Sequence, residues 1–240
     1  MSNGWAEQEF WGTRPRRVEG GIQIHATRGP IARSWWSRRF VEVLESLGVG
    51  GRLARGRGYA RQGQILSLDV DAGAVVARVQ GSAPTPYAVR IGVPAYGKAE
   101  WARVIDALAA DAWFAATLLG GEMPREIEEL FAAEGLALFP ASGADLTMDC
   151  TCPDHQVPCK HLAAVFYLLA ERFDAEPFTV LALRGRDRER LLAELRSRRA
   201  AQPPEGGRAG EPARAAPLQE RLDAFFTAGP LDPPPPGPRT

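Results

Sequence analysis

The chain has 240 residues and a mass of 26.0 kDa, is 45% apolar, and balances 29 Lys+Arg against 29 Asp+Glu. That apolar content excludes whole-chain disorder and a collagen-like fibre, and zero net charge excludes nucleic-acid binding by overall basicity. No run of 18 uncharged apolar residues and no apolar leader core are present, which predicts a soluble cytoplasmic protein with no membrane partner.

The zero is a sum of opposites. Residues 1–62 hold 11 Arg against 5 acids, residues 63–148 hold 5 bases against 11 acids, and residues 183–200 return to 7 against 3. A polyanion would therefore have to find a local patch. All bases except Lys98 and Lys160 are arginine. Arginine suits bidentate phosphate contacts, although a GC-rich coding sequence gives the same bias.

Residues 1–30 carry no hydrophobic periodicity and read as an arm. Over 33–47, Trp36, Phe40, Val43, Leu44 and Leu47 share one stripe behind Ser34 as a cap, which predicts a helix stopped by the glycines at 48–51. Next come Arg52, Arg55, Arg57 and Arg61, with Tyr59 and glycines 56, 58 and 63 among them. They read as a compact basic loop suited to phosphates, with a solvated basic face as the plain alternative. Three alternating segments follow, QILSLDVD, AVVARVQ and YAVRIGV, the first two separated by Ala72-Gly73. They predict a three-stranded antiparallel meander.

Trp101, Val104, Ile105, Leu108 and Ala112 then fall at helical spacing as far as Gly120-Gly121, and Pro124 opens a second helix to about Glu134. The short apolar runs 136–139 and 145–148 flank a Pro/Gly turn and read as a hairpin-like pair. From His161, the residues Leu162, Val165, Phe166, Leu169 and Phe173 define a strongly amphipathic helix. Two further helical pieces are expected at 177–183 and 187–199. They bring Arg184, Arg186, Arg188 and Arg190 together as a second basic set. Beyond Ala201 the chain is Pro/Gly-rich, with 218–226 as a short helix or docking peptide.

The chemistry concentrates in thirteen residues. All three cysteines, Cys150, Cys152 and Cys159, lie there with His155 and His161, in the pattern C-x-C-x6-C-x-H. Three clustered cysteines do not make a disulfide framework. Cys150 and Cys152 at the end of a strand would face the same way. Cys159 and His161 would diverge by about 200° inside one helix, but converge if Cys159 ends the turn and His161 begins the helix. Three thiolates and one imidazole form the closed tetrahedral set of a structural zinc site, with no open position for a water. A redox thiol is the rival reading, weakened by C-x-C spacing and the lack of a thioredoxin-like pattern. His155, inside the loop, could pass for a ligand but reads as a solvated group or one standing behind the ligands rather than a fifth ligand.

This pattern, followed by an amphipathic helix, resembles the SWIM zinc finger. Trp35-Trp36 and the stretches 55–63, 79–87, 121–131, 152–174 and 183–192 further resemble a bacterial SWIM-containing family. The resemblance covers roughly residues 33–195. His155 stands where that family usually has Trp, which leaves the four ligands intact. Members are often encoded beside a SWI/SNF-type helicase-like ATPase, so the resemblance implies such a partner. It also implies binding of DNA or protein.

The expected fold is α+β: a small antiparallel β-meander plus helices, with a SWIM zinc finger formed by a β-hairpin and then a helix. Its parts are an irregular arm 1–32, a helix plus three-stranded meander 33–96, a helical region 97–200 with the finger at about 136–175, and a disordered tail 201–240. One structural Zn²⁺ is expected on Cys150, Cys152, Cys159 and His161. Nucleic-acid contacts are assigned to Arg52, Arg55, Arg57 and Arg61. Trp35-Trp36 could stack bases, but fit helix packing better. Asp69 and Asp71 sit beside a turn, Glu126, Glu128 and Glu129 fit a solvated helix face, and no nucleophile elbow or phosphate loop is present. The expectation is a binding module rather than an enzyme, with no small-molecule substrate. A pure protein-interaction scaffold and a thiol redox protein are the alternatives.

Overall fold

The computed structural model describes residues 14–26, 28–47 and 50–201. The expectations for residues 1–13 and for the tail beyond Ala201 lie outside them.

The alternating segments form the sheet. β1 (Ile65–Asp71), β2 (Ala74–Val79) and β3 (Tyr87–Gly92) run as an antiparallel meander, and β4 (Thr147–Cys150) adds a fourth strand beside β3. Gly73, at φ 80°, makes the tight β1–β2 turn, a conformation that costs glycine little. Register places Leu68, Ala77 and Val89 together on the buried face, with Asp69, Arg78 and Arg90 exposed. Cys150 pairs with Val89, and that register sends Cys150 to the covered face.

Among the described residues eight α-helices accompany the sheet: α1 (Trp35–Ser46), α2 (Gly50–Arg61), α3 (Lys98–Ala110), α4 (Ala112–Leu119), α5 (Ile127–Ala133), α6 (Lys160–Ala175), α7 (Thr179–Leu183) and α8 (Arg188–Ala201). The fold is α+β, as the sequence indicates. Every residue from His161 to Ala170 is buried, so α6 is the central helix rather than an amphipathic one lying on a surface. α1 packs on it through Phe40, whose ring stacks on Phe166 at 5.2 Å and meets Phe173 edge-on at 5.1 Å. No described helix is long and apolar enough to cross a membrane.

Three expectations change. The stretch 50–61 is a helix, not a basic loop. Its glycines argue locally against a helix, but Leu53, Gly56, Tyr59 and Ala60 form a buried stripe against α6, and tertiary packing overrides the propensity. The 136–139 run does not pair with 145–148. Instead β4 extends the meander, while Leu138 and Phe139 are buried and the Tyr96 hydroxyl accepts from the backbone N–H of Ala137 at 2.9 Å. Finally, the helix read to Gly120 breaks at Asp111. Its Oδ1 accepts from the N–H groups of Trp113 (2.8 Å) and Phe114 (3.2 Å) and so caps α4.

The tryptophans and the second basic set serve packing. Trp36 Nε1 donates to Phe173 O at 2.9 Å, and the Trp35 ring meets Phe139 edge-on at 5.8 Å. Arg184 is 4% exposed and donates to Leu138 O (2.9 Å) and Pro94 O (2.8 Å). Arg186, equally buried, pairs with Glu194 at 2.9 Å. Two of the four arginines of that set are thus structural donors, not a surface patch.

Asp174 on α6 ties down the start of α1. Its carboxylate accepts from the hydroxyls of Ser34 and Ser37 and from the backbone N–H groups of Arg33 and Ser34. Burial pushes this carboxyl up, yet those hydrogen bonds outweigh burial and leave it below its ordinary range. A depressed carboxylate contributes stability above the unfolded value near 4, and that stability is lost as pH falls through the folded value. Asp174→Ala should cost about 2 kcal/mol at pH 7, four donors being stranded. The difference from wild type should shrink in melts below about pH 4; a pH-independent gap would exclude the carboxylate as its source.

Candidate metal centre

β4 delivers Cys150 and the backbone beyond it delivers Cys152. Between them Thr151 prolongs the pairing: its N–H donates to Ala88 O at 3.0 Å and its hydroxyl accepts from Ala88 N–H at 3.0 Å. The chain returns through 153–158 to Cys159, the N-cap of α6, whose Sγ accepts from Leu162 N–H at 3.5 Å. His161 is the second residue of that helix. The turn-then-helix placement expected from the spacing is the one observed.

The four donor atoms lie within 4.8 Å of one another. His161 Nδ1 stands 3.8 Å from both Cys150 Sγ and Cys159 Sγ. A tetrahedral zinc with bonds of 2.3 Å to sulfur and 2.0–2.1 Å to nitrogen sets such edges at about 3.6 Å. The donor set therefore fits Zn²⁺ in number, type and span. Cys159 is 1% exposed and His161 3%, while Cys150 and Cys152 are half-buried.

Electrostatics point the same way. Hydrogen bonds from Cys150 and Cys152 hold the Cys159 thiol well below its ordinary value, while bonding to Cys152 and Cys159 pushes Cys150 well above. Without a cation the cluster therefore supports charge at Cys159 at the expense of its neighbours. Zn²⁺ allows all three thiols to ionise, leaving a net charge of about −1. That charge sits at the N-terminus of the sixteen-residue α6, where the helix dipole favours it. Lys160 lies beside it, its Nζ 5.6 Å from the centre of the Tyr59 ring.

The structure divides the four arginines assigned to nucleic acid. Arg52 reaches the zinc loop, with Nε and Nη2 donating to the two oxygens of Asp154 at 3.3 and 3.1 Å. This guanidinium holds the Asp154 carboxyl below its ordinary range. Arg61 donates to Ala26 O (3.1 Å) and Gly29 O (2.7 Å), fastening the N-terminal segment to α2. Arg57 lies 5.5 Å over the Tyr167 ring, and Arg55 is exposed. They do not converge on one loop; two of the four are internal ties. His155 is exposed and stands outside the donor cluster, and Asp69 and Asp71 are exposed.

Sequence reasoning did not anticipate Tyr59 and Tyr87 around His161. The buried stripe of α2 held the signal for Tyr59, and the inward register of β3 held it for Tyr87.

This geometry defines a class: a Cys₃His zinc centre at a strand-to-helix junction. The SWIM zinc finger family matches residues 143–170, which enclose all four donors. The chain is also 57% identical, over 215 residues, to the uncharacterized protein Rv2102 of Mycobacterium tuberculosis. The match spans 89% of this chain and 77% of that protein. The chain belongs to the same family as that mycobacterial protein and carries a SWIM zinc finger. No solved structure matches it.

Proposed function

We propose that this protein is a zinc-organised binding module serving as an accessory factor to a helicase-like ATPase of the SWI/SNF type, with contacts made chiefly to protein. The metal's role is structural: four protein ligands complete a tetrahedral shell, so zinc orders the β4–α6 junction and leaves no position for a reacting water. The ATPase partner comes from the SWIM resemblance.

The observation that favours protein contact is on α4. Trp113 is 51% exposed, its ring edge-on to Phe114 at 5.0 Å, with Ala112 and Ala116 exposed on the same short helix. Exposed aromatic groups of this kind are enriched in protein interfaces. A nucleic-acid contact is the second reading, supported by Arg55 and Arg57, whose guanidinium groups have no hydrogen-bond or carboxylate partner among the described residues.

Two variants separate the readings. Trp113→Glu should abolish co-purification with the ATPase and leave oligonucleotide binding as in wild type. Arg55→Glu combined with Arg57→Glu should leave both unchanged. Loss of oligonucleotide binding in the double variant, with a shallower salt dependence, would replace protein contact by nucleic-acid contact.

A further inference from the structure

Much of what surrounds His161 comes from outside the finger. Tyr87 of β3 covers its ring at 4.7 Å and 38°, and Tyr59 of α2 meets it at 5.3 Å and 68°. Gly81 closes another side: a Cβ there would lie 3.0 Å from His161 Nε2 and 2.4 Å from the Tyr87 ring. Both tyrosines are buried, at 7% and 8% exposure.

Nδ1 faces the sulfurs, so a neutral ligand imidazole must carry its proton on Nε2. Zinc-bound histidines ordinarily give that N–H to a carboxylate, a carbonyl or a water, which sets their tautomer and orientation. Here Nε2 is buried and has no hydrogen-bond partner among the described residues. The Tyr59 hydroxyl does not fill the gap, being itself buried and unpartnered. Around the imidazole stand the two tyrosine rings and Gly81.

We propose that Tyr59 and Tyr87 are positioning residues for the zinc ligand His161, acting through their rings rather than their hydroxyls. Ring packing replaces the usual hydrogen-bonded support. The planes of Tyr87 and Tyr59 restrict rotation of the imidazole. Arg52, bonded to Asp154, adds a second tie between α2 and the zinc loop. The fourth ligand is thereby held by α2 and β3, and the finger depends on the domain around it. The proposal rests on the zinc reading.

The test uses the full chain, with zinc affinity read by competition against a chelator and geometry read from the absorption bands of Co²⁺ substituted for zinc. Tyr59→Phe should match wild type in both. Tyr59→Leu, which fills much of the volume without a ring, should weaken zinc binding about tenfold to a hundredfold, the usual cost of losing an outer partner. It should also shift the Co²⁺ bands. Leu53→Ala, on the same buried stripe of α2, should lower the melting temperature and leave affinity and spectrum unchanged. Wild-type affinity in Tyr59→Leu overturns the proposal. So does equal weakening by Tyr59→Phe, which would assign the role to the hydroxyl, or by Leu53→Ala, which would reduce it to general loosening. A wild-type chain that takes up no zinc is a different failure, that of the zinc reading itself.

Discussion

Cys159→Ser is expected to remove the metal and destabilise the domain by at least about 4 kcal/mol, near the upper end of single-residue effects. Structural zinc sites in small fingers contribute about 10–16 kcal/mol of binding free energy, against a typical domain stability of about 5–15 kcal/mol. Only part of that is lost here, because α6 is also held by apolar packing along its buried length. Serine keeps an N-cap acceptor for Leu162 N–H, so the cap itself contributes little to the difference. What remains is two half-buried thiols and a buried imidazole without their cation.

For a chain of this size the loss corresponds to a fall in melting temperature of roughly 10 °C or more. Hydrogen exchange should accelerate first across 145–175. Removing zinc from the wild-type chain with a chelator should reproduce both effects. A serine variant with one zinc per chain and wild-type melting would exclude a structural role for the metal.

The second large effect lies where two helices touch. α2 crosses α6 at Gly56, and a Cβ placed there would lie 2.4 Å from Ala163 Cβ and 3.0 Å from the Ala163 carbonyl carbon. The obstacle is backbone of the central helix, which cannot swing aside. Gly56→Leu should therefore cost about 3 kcal/mol, the upper end of ordinary overpacking, and shift α2 away from Tyr59's position beside His161. Zinc affinity should fall with stability.

Gly58, one half-turn on, is the contrast, with only the end of the Gln62 side chain at 4.0 Å. Gly58→Ala should stabilise the protein by about 0.5–1 kcal/mol through helix propensity and reduced unfolded-state entropy. Opposite signs at two glycines of one helix, read by thermal or denaturant unfolding, test the crossing. A Gly56→Leu variant as stable as wild type would mean that α2 does not approach α6 this closely.

The metal site was legible because its logic is local. Four ligands within twelve residues have their types and spacing set by zinc chemistry, and the strand and helix carrying them show their own periodicities. The meander was legible for the same reason. Alternation has period two, and Ala72-Gly73 has turn chemistry.

Long-range partners were not legible. Which strand β4 would join depended on the exposed edge of β3, some 55 residues earlier, and not on the apolar run immediately before it. The helix at 50–61 was hidden by glycines that are unfavourable locally, one of which, Gly56, is required by its close approach to Ala163 of α6. Arginines with the same local appearance took different roles. Arg52 went to Asp154, Arg61 to two carbonyls and Arg184 into the core, because a guanidinium donor is used by whichever acceptor folding brings within reach. By itself the sequence determined an α+β chain with one Cys₃His zinc site. Only the tertiary structure decided what surrounds that site and which arginines remain at the surface, since both depend on contacts between residues far apart in the chain.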